Sequence, residues 1–508
     1  MRERRRSGRK RRQGGRAAGQ LPWRRVENRL RPLEVLDTEQ IERIHDASLR
    51  ILEEIGLDFL HQEALDILKL AGADVEPGAF RVRMDRGLVM ESIANAPARF
   101  TLHARNPDHD LDMGGRAINF ATVGSAPYVQ DLEHGRRTGN FADFSDLVRL
   151  AQSLNIVHMI GGYPVEPTDL PPETRHLDCL HAFATLSDKA FHAYSLGRTR
   201  ILDAIEITRI ARGISKERLL TEPSLFTIVN TSSPLRLDGP MIEGVIEMAR
   251  HGQVVVITPF TLSGAMSPAT LAGALAQQNA EALAGLAFAQ MVQPGAPVIY
   301  GGFTSNVDMK SGAPAFGTPE YTKAALASGQ LARRYRLPFR SSNANAANVC
   351  DAQAAYESEM SLWGAVMGHA NLVLHAAGWL QGGLCASFEK MVIDAELLQM
   401  MAETLAPIEV DDATLGLDAI RDVGPGGHFF GTAHTLERYE TAFYPPLISD
   451  WRNFEAWEDA GAPTAELHAH RLAKELIETF EPPPLDEAIA EDLTAFTDRR
   501  KAEGGARS

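Results

Sequence analysis

The chain has 508 residues, 44% hydrophobic and 23% charged, with 51 Lys and Arg against 66 Asp and Glu for a net charge of −15. That composition excludes a wholly disordered or fibrous chain, and no run approaches the roughly 18 uninterrupted apolar residues of a membrane span. Three widely spaced cysteines, Cys179, Cys350 and Cys385, do not make a disulfide framework and suit a reducing cytoplasm.

Residues 1–32 hold 13 Lys and Arg against Glu3 and Glu27, about +11, which leaves about −26 for the rest. This segment is expected to be a disordered basic tail or docking arm. It lacks the apolar core of a secretory signal, and with Trp23 its only aromatic it is not read as a nucleic-acid binder. Residues 33–116 read as a small α+β region. Asp37 offers an N-cap with Gln40 three residues on, before a helical recurrence of Ile41, Ile44, Ile51 and Leu52. A second helix is expected at 62–70, and short alternating stretches follow at 80–84 and 100–104.

From residue 117 short apolar runs alternate with helix-length segments. The expected strands are 117–122, 156–161, 190–195, 226–231, 254–259, 297–302, 338–342 and 371–376. Continuous apolar runs suit parallel strands covered on both faces. Ser267-Pro268 and Thr318-Pro319 mark helix starts, and Asp351 is an N-cap candidate. Eight such units over 117–406 predict a (β/α)₈ TIM barrel. An open doubly wound sheet is the alternative, but no phosphate fingerprint recommends it. Residues 407–508 are expected to form a C-terminal, largely helical extension packed on the barrel, with a helix near 465–480.

In such a barrel the chemistry sits where strands end. Here those ends offer glycine, hydroxyls, amides and aromatics, and almost no Asp, Glu or Lys. A Schiff-base lysine, a glycosidase carboxylate pair and a clustered metal site are therefore all missing. His176-x-x-Cys179-x-His181 is read as ordinary helix surface rather than a metal site, and no metal is expected on this chain. His428 and His434 lie in a glycine-rich loop that reads as C-terminal packing.

The stretches PYVQDLEHGRRTG (127–139), NTSSPLRLDG (230–239), PFTLSGAMSPATLAGALAQQNAEALAG (259–285), CDAQAAYE (350–357) and GPGGHFFGTAHT (424–435) resemble the trimethylamine methyltransferase family, the MttB type. The resemblance runs from about residue 33 over nearly the whole chain. It implies a barrel that moves a methyl group from a methylated amine to the cobalt of a separate corrinoid protein. The archaeal members carry pyrrolysine; this chain has only standard residues and resembles the branch that includes glycine betaine methyltransferases. A quaternary ammonium leaves as a neutral amine, so it needs positioning and desolvation but no proton. A tertiary amine or another methylated donor such as carnitine or proline betaine is the alternative substrate, and a non-catalytic methylated-amine sensor the alternative of another class.

On that reading the strand-end aromatics Tyr163, Tyr194, Phe260, Phe303 and Trp379 are candidates for a cage around an ammonium. Asn230, Ser341, Asn343 and His375 are candidate donors to a carboxylate, with His375 the catalytic candidate. Backbone N–H groups of the helix near Asp351 are a further possible donor set. Gly301, Gly302 and Gly378 are expected to let a corrin ring approach the mouth. The expected partners are the corrinoid protein, the amine and further copies of this chain.

Overall fold

A computed structural model describes residues 20–506; the basic segment before residue 20 lies outside the described residues. Eight strands, β1 (Ala117–Thr122), β2 (Met159–Ile160), β3 (Ala190–Phe191), β4 (Phe226–Val229), β5 (Val254–Ile257), β6 (Val298–Gly301), β7 (Phe339–Ser342) and β8 (Leu372–Ala377), pair in parallel in the order 3-2-1-8-7-6-5-4. A parallel bridge between His192 and Phe226 joins the two ends and closes the barrel. Each strand is followed by a helix: α1 (Phe141–Ser153), α2 (Arg175–Leu186), α3 (Arg198–Ala211), α4 (Gly239–Arg250), α5 (Leu271–Val292), α6 (Pro319–Tyr335), α7 (Ala352–Met367) and α8 (Phe388–Leu405).

The strands are buried on both faces, which explains why they are apolar without alternation. Ala121, Met159, Phe226, Ile228, Val254, Val256, Ile299, Leu372 and Leu374 form one cluster in the lumen. The antiparallel pair Phe100–Leu102 and Leu111–Met113 adds Leu102, Leu111 and Met113 to that cluster and stops the lumen at the N-terminal ends of the strands. Residues facing the other way pack against the helices, as Tyr300 does against Tyr335 of α6, 6.1 Å away between ring centroids.

Several helix starts follow the sequence chemistry. Asp37 and Gln40 make a reciprocal capping box. Thr318 accepts from the Tyr321 N–H ahead of Pro319, and Asp351 accepts from Gln353 and Ala354. Ser267-Pro268 is not the start of α5; Thr270 caps it, accepting from the Gly273 N–H, while Ser267 bridges to Ser263. The strands expected at 156–161 and 190–195 shorten to two residues each, because the chain leaves the ladder to form the rim.

Residues 20–32 are not a disordered tail. Val26 and Glu27 pair antiparallel with Ile118 and Ala117 of β1, Trp23 packs against the lumen cluster, and the buried Asn28 donates to the Val366 carbonyl at 2.7 Å. Apolar burial and ladder hydrogen bonds hold this stretch despite its charge.

The N-terminal region is α+β. Helices Thr38–Arg50, Gln62–Leu70 and Arg86–Ala94 accompany a sheet of Leu57–Phe59, Arg81–Arg83 and Asp74–Val75, joined by Arg236–Leu237 from the loop after β4. Its helices cover α5, which is consequently buried on every side and carries a buried polar stripe, Gln277, Gln278, Asn279 and Glu281. At the other end of the chain, helix Ala465–Glu478 packs on α8 and α1, and Glu487–Ala502 on α2 and α3. Among the described residues no helix is long and apolar enough to cross a membrane.

Candidate active site at the barrel mouth

Two small sheets extend the barrel strands into a rim. Phe260–Ser263 runs parallel to Phe303–Val307 beyond β5 and β6, and Trp379–Leu380 pairs with Cys385–Ser387 beyond β8. Within β8, Leu372 and Leu374 face the lumen, so simple alternation would turn His375 outward. Instead the register against β1 shifts between Val373 and Ala377, and His375 adopts φ 54°, a left-handed conformation rare for this residue type. A bulge of this kind re-aims a side chain. The His375 Nδ1 accepts the Gly124 N–H at 3.2 Å, which makes Nε2–H the donor of the neutral ring. Burial, then the nearby Arg340 and His192, hold its pKa well below the ordinary histidine value.

An aromatic wall stands beside it. The Trp379 ring is 4.3 Å from that of His375 and 6.2 Å from both Phe303 and Phe316. Phe303 stacks on Phe260 at 5.3 Å and meets Tyr321 at 5.7 Å. The glycines of the β8 turn make this possible: a Cβ on Gly383 would fall 2.5 Å from the indole, and one on Gly382 would fall 3.3 Å from Phe316. The indole N–H is taken by the Asn345 carbonyl at 3.1 Å, which fixes the ring.

The guanidinium of Arg340, from β7, lies 5.3 Å from the Phe303 ring centroid. On the other side, the Tyr194 hydroxyl accepts from Ser125 Oγ and the Tyr163 N–H, both at 2.9 Å. His192 accepts the Ile228 N–H on Nε2 at 3.0 Å, and its Nδ1 is buried without a partner.

Of the expected site residues, Phe260, Phe303, Trp379 and His375 come together at the mouth. Tyr194 reaches the same rim through Ser125, and Asn230 is exposed at the end of β4. Tyr163 meets Tyr194 edge-on at 4.6 Å, while the rest of its ring contacts, Phe144 and Phe183, lie on the helices behind the barrel. Ser341 shares the outward face of Phe339, away from the lumen. Asn343 is fully buried and donates to the Ala376 carbonyl and to Asp394. The glycines do not open a cradle for a corrin. A Cβ on Gly301 would fall 2.1 Å from Thr258 Oγ1, one on Gly302 2.7 Å from Ser328 Oγ, and one on Gly378 3.0 Å from Val123. They allow close packing of the protein's own atoms. Asp351 caps α7 with its own carboxylate, which takes the N–H groups of Gln353 and Ala354.

Sequence reasoning missed Arg340, His192, Phe316 and a buried pair beneath the mouth. Lys390 and Asp394 on α8 are both fully buried and bonded to one another. Asp394 also accepts the Gly378 N–H at 2.9 Å, and Lys390 donates to Ser358 at 2.9 Å. The pair therefore anchors the turn that presents Trp379. Arg340 had a signal, a charged residue in the middle of an otherwise buried strand; Phe316, in the long β6–α6 connection, had none. His176 bonds to Asp203 at 2.9 Å, and among the described residues no group of three His, Cys, Asp or Glu is placed to hold a metal.

The buried histidines set an acid response. His45 is pushed down to about 4, and His158 and His192 to about 3, in each case mainly by burial. Unfolded histidines take up protons below about pH 6.5 while these do not, so stability is full above that pH and falls as pH drops toward 4. Each contributes up to about 1.4 kcal/mol per pH unit in that window. Melting temperature should decline steadily from about pH 6.5 to about pH 4.5; a flat profile there contradicts the neutral assignment.

The trimethylamine methyltransferase (MTTB) family profile matches residues 2–505. The chain belongs to that family. It is 37% identical over 472 residues to a glycine betaine methyltransferase of Desulfitobacterium hafniense (strain Y51), covering 93% of this chain and 98% of that one. It is 30% identical over 476 residues to the trimethylamine methyltransferase MttB of Desulfitobacterium hafniense (strain DSM 10664 / DCB-2), covering 92% and 94%. The crystal structure of the Methanosarcina barkeri monomethylamine methyltransferase (MtmB) superposes with a TM-score of 0.52 at 12% identity over 89% of this chain and 90% of that one, a likeness of fold. This member of the trimethylamine methyltransferase family is thus a methyltransferase built on a (β/α)₈ barrel.

Proposed function

We propose that the chain moves a methyl group from a quaternary amine of the glycine betaine type to the Co(I) of a separate corrinoid protein. The observation that carries this reading is the aromatic wall of Phe260, Phe303, Phe316 and Trp379 at the barrel mouth. Aromatic faces attract a quaternary ammonium by about 0.5–2 kcal/mol each when water is excluded. A neutral amine leaving group needs no general acid, and the depressed pKa values of His375 and His192 keep both rings uncharged at neutral pH. The corrinoid protein is the methyl acceptor and supplies the nucleophile; this chain binds, orients and desolvates the donor. Mixing the protein with a Co(I) corrinoid protein and a panel of methylated amines should give methyl-Co(III) absorbance with glycine betaine. No methyl-cobalt with any amine rejects the reading.

Self-association is the second part of the proposal. Segment 407–454 leaves large apolar side chains in water, among them Ile408 90%, Phe430 84% and Phe443 83% exposed. Its short helices Asp412–Leu415, Leu417–Val423 and Ala433–Leu436 bury no side chain larger than alanine, and helices of that length are marginal in water. A second copy of the chain covers this face. The corrinoid protein has to leave after each turnover, and transient contacts of that kind are smaller and more polar. Light scattering should find an oligomer that Phe430→Asp with Phe443→Asp dissociates; a wild-type monomer at micromolar concentration contradicts it.

A further inference from the structure

Arg340 stands where a purely cationic ligand would meet repulsion. It is 2% exposed, and its Nε and Nη1 are buried with no hydrogen-bond partner. Among the described residues no carboxylate pairs with it. Guanidinium groups stay protonated in proteins, so the lumen holds an uncompensated positive charge. Such a charge is costly when left alone, and its planar fork of donors matches a carboxylate.

Two neighbours bring further hydrogen-bond donors. Gly301 is the register partner of Arg340, and its missing Cβ leaves the place taken by Thr258 Oγ1, which is itself buried without a partner. His375, whose Nδ1 is already occupied, has Nε2–H to give. The guanidinium lies 5.3 Å from the Phe303 ring, whose own neighbour Trp379 is 6.2 Å further on between centroids. A seat for a negative charge therefore adjoins a seat for an ammonium.

We propose that Arg340 anchors a carboxylate and so makes this site selective for zwitterionic methylated amines over those that carry only positive charge. The inference rests on the reading that the lumen binds a methylated amine. Glycine betaine, carnitine and proline betaine bring their own counter-charge to Arg340. Choline and tetramethylammonium bring a second positive charge and leave the arginine unpaired.

Calorimetry on the full chain with glycine betaine and choline tests this. The wild type should bind glycine betaine at least about 100-fold more tightly than choline. Arg340→Met should weaken glycine betaine binding about 100-fold and abolish the preference, while the melting temperature holds or rises because a buried unpaired charge has gone. A merely structural arginine would lower the melting temperature and leave the preference untouched. Should Arg340→Met not fold, Arg340→Lys keeps the charge without the fork; it should bind glycine betaine about 10-fold more weakly and still reject choline. Unchanged glycine betaine affinity in either folded variant overturns the proposal, as does a wild type that binds choline equally well. Arginine-dependent binding of glycine betaine without methyl-cobalt formation would uphold Arg340 and reject the methyl-transfer reading. Methyl transfer from choline and glycine betaine alike would do the reverse.

Discussion

Replacing His375 by Ala is expected to cost roughly a hundredfold or more in kcat/KM for methyl transfer, about 2.7 kcal/mol or above, with a much smaller loss of stability. The ring sits in the lumen on a bulged strand, fixed through Nδ1 to the Gly124 N–H and packed against Trp379. Its remaining donor is the group we propose for the substrate carboxylate. The left-handed backbone at this position complicates Ala, which tolerates φ 54° poorly. His375→Asn keeps a residue suited to that conformation and removes only the imidazole. Both variants should melt near the wild type and lose activity together. A folded His375→Asn protein with wild-type kcat/KM would make the histidine a packing residue.

The largest expected stability effect lies one layer below. Lys390→Ala should destabilise the fold by about 3–5 kcal/mol, because it leaves the Asp394 carboxylate buried without its cation. Burial already raises the Asp394 pKa, and Lys390 is the main opposing influence. The loss should also reach the site, since Asp394 holds the Gly378 N–H next to Trp379. Denaturant unfolding and single-turnover methyl transfer should therefore fall together in this variant. A Lys390→Ala protein within about 1 kcal/mol of the wild type would show that the pair contributes little.

Much of the fold was legible because the barrel writes itself in local terms. Strands covered on both faces must be continuously apolar, and helices between them must begin on capping side chains, as Thr318 and Asp351 do. The errors have physical causes. Thr270 rather than Ser267 caps α5 because the chain first completes a rim strand and a bridge from Ser263. Residues 20–32 read as a tail by charge, yet Trp23, Val26 and Asn28 are apolar or satisfied groups that the barrel floor and the edge of β1 accept.

The site was legible in part. Strand-end position picked out Phe260, Phe303, Trp379 and His375, which lie together at the mouth, but it could not say which way a side chain points. Tyr163 meets Tyr194 but otherwise packs on Phe144, and Ser341 lies behind its strand.

From the residues alone came the barrel, the family resemblance and the charge-poor mouth, since each depends on composition, order and spacing along the chain; the need for aromatics there is what the resemblance implies. Only the tertiary structure decided which groups share the lumen. A two-residue register shift in β8, with His375 in a left-handed conformation inside it, breaks the alternation there. The same packing leaves Arg340 buried beside Phe303 with no acid to meet it, because whether a charge is paired depends on every strand around it and not on its own.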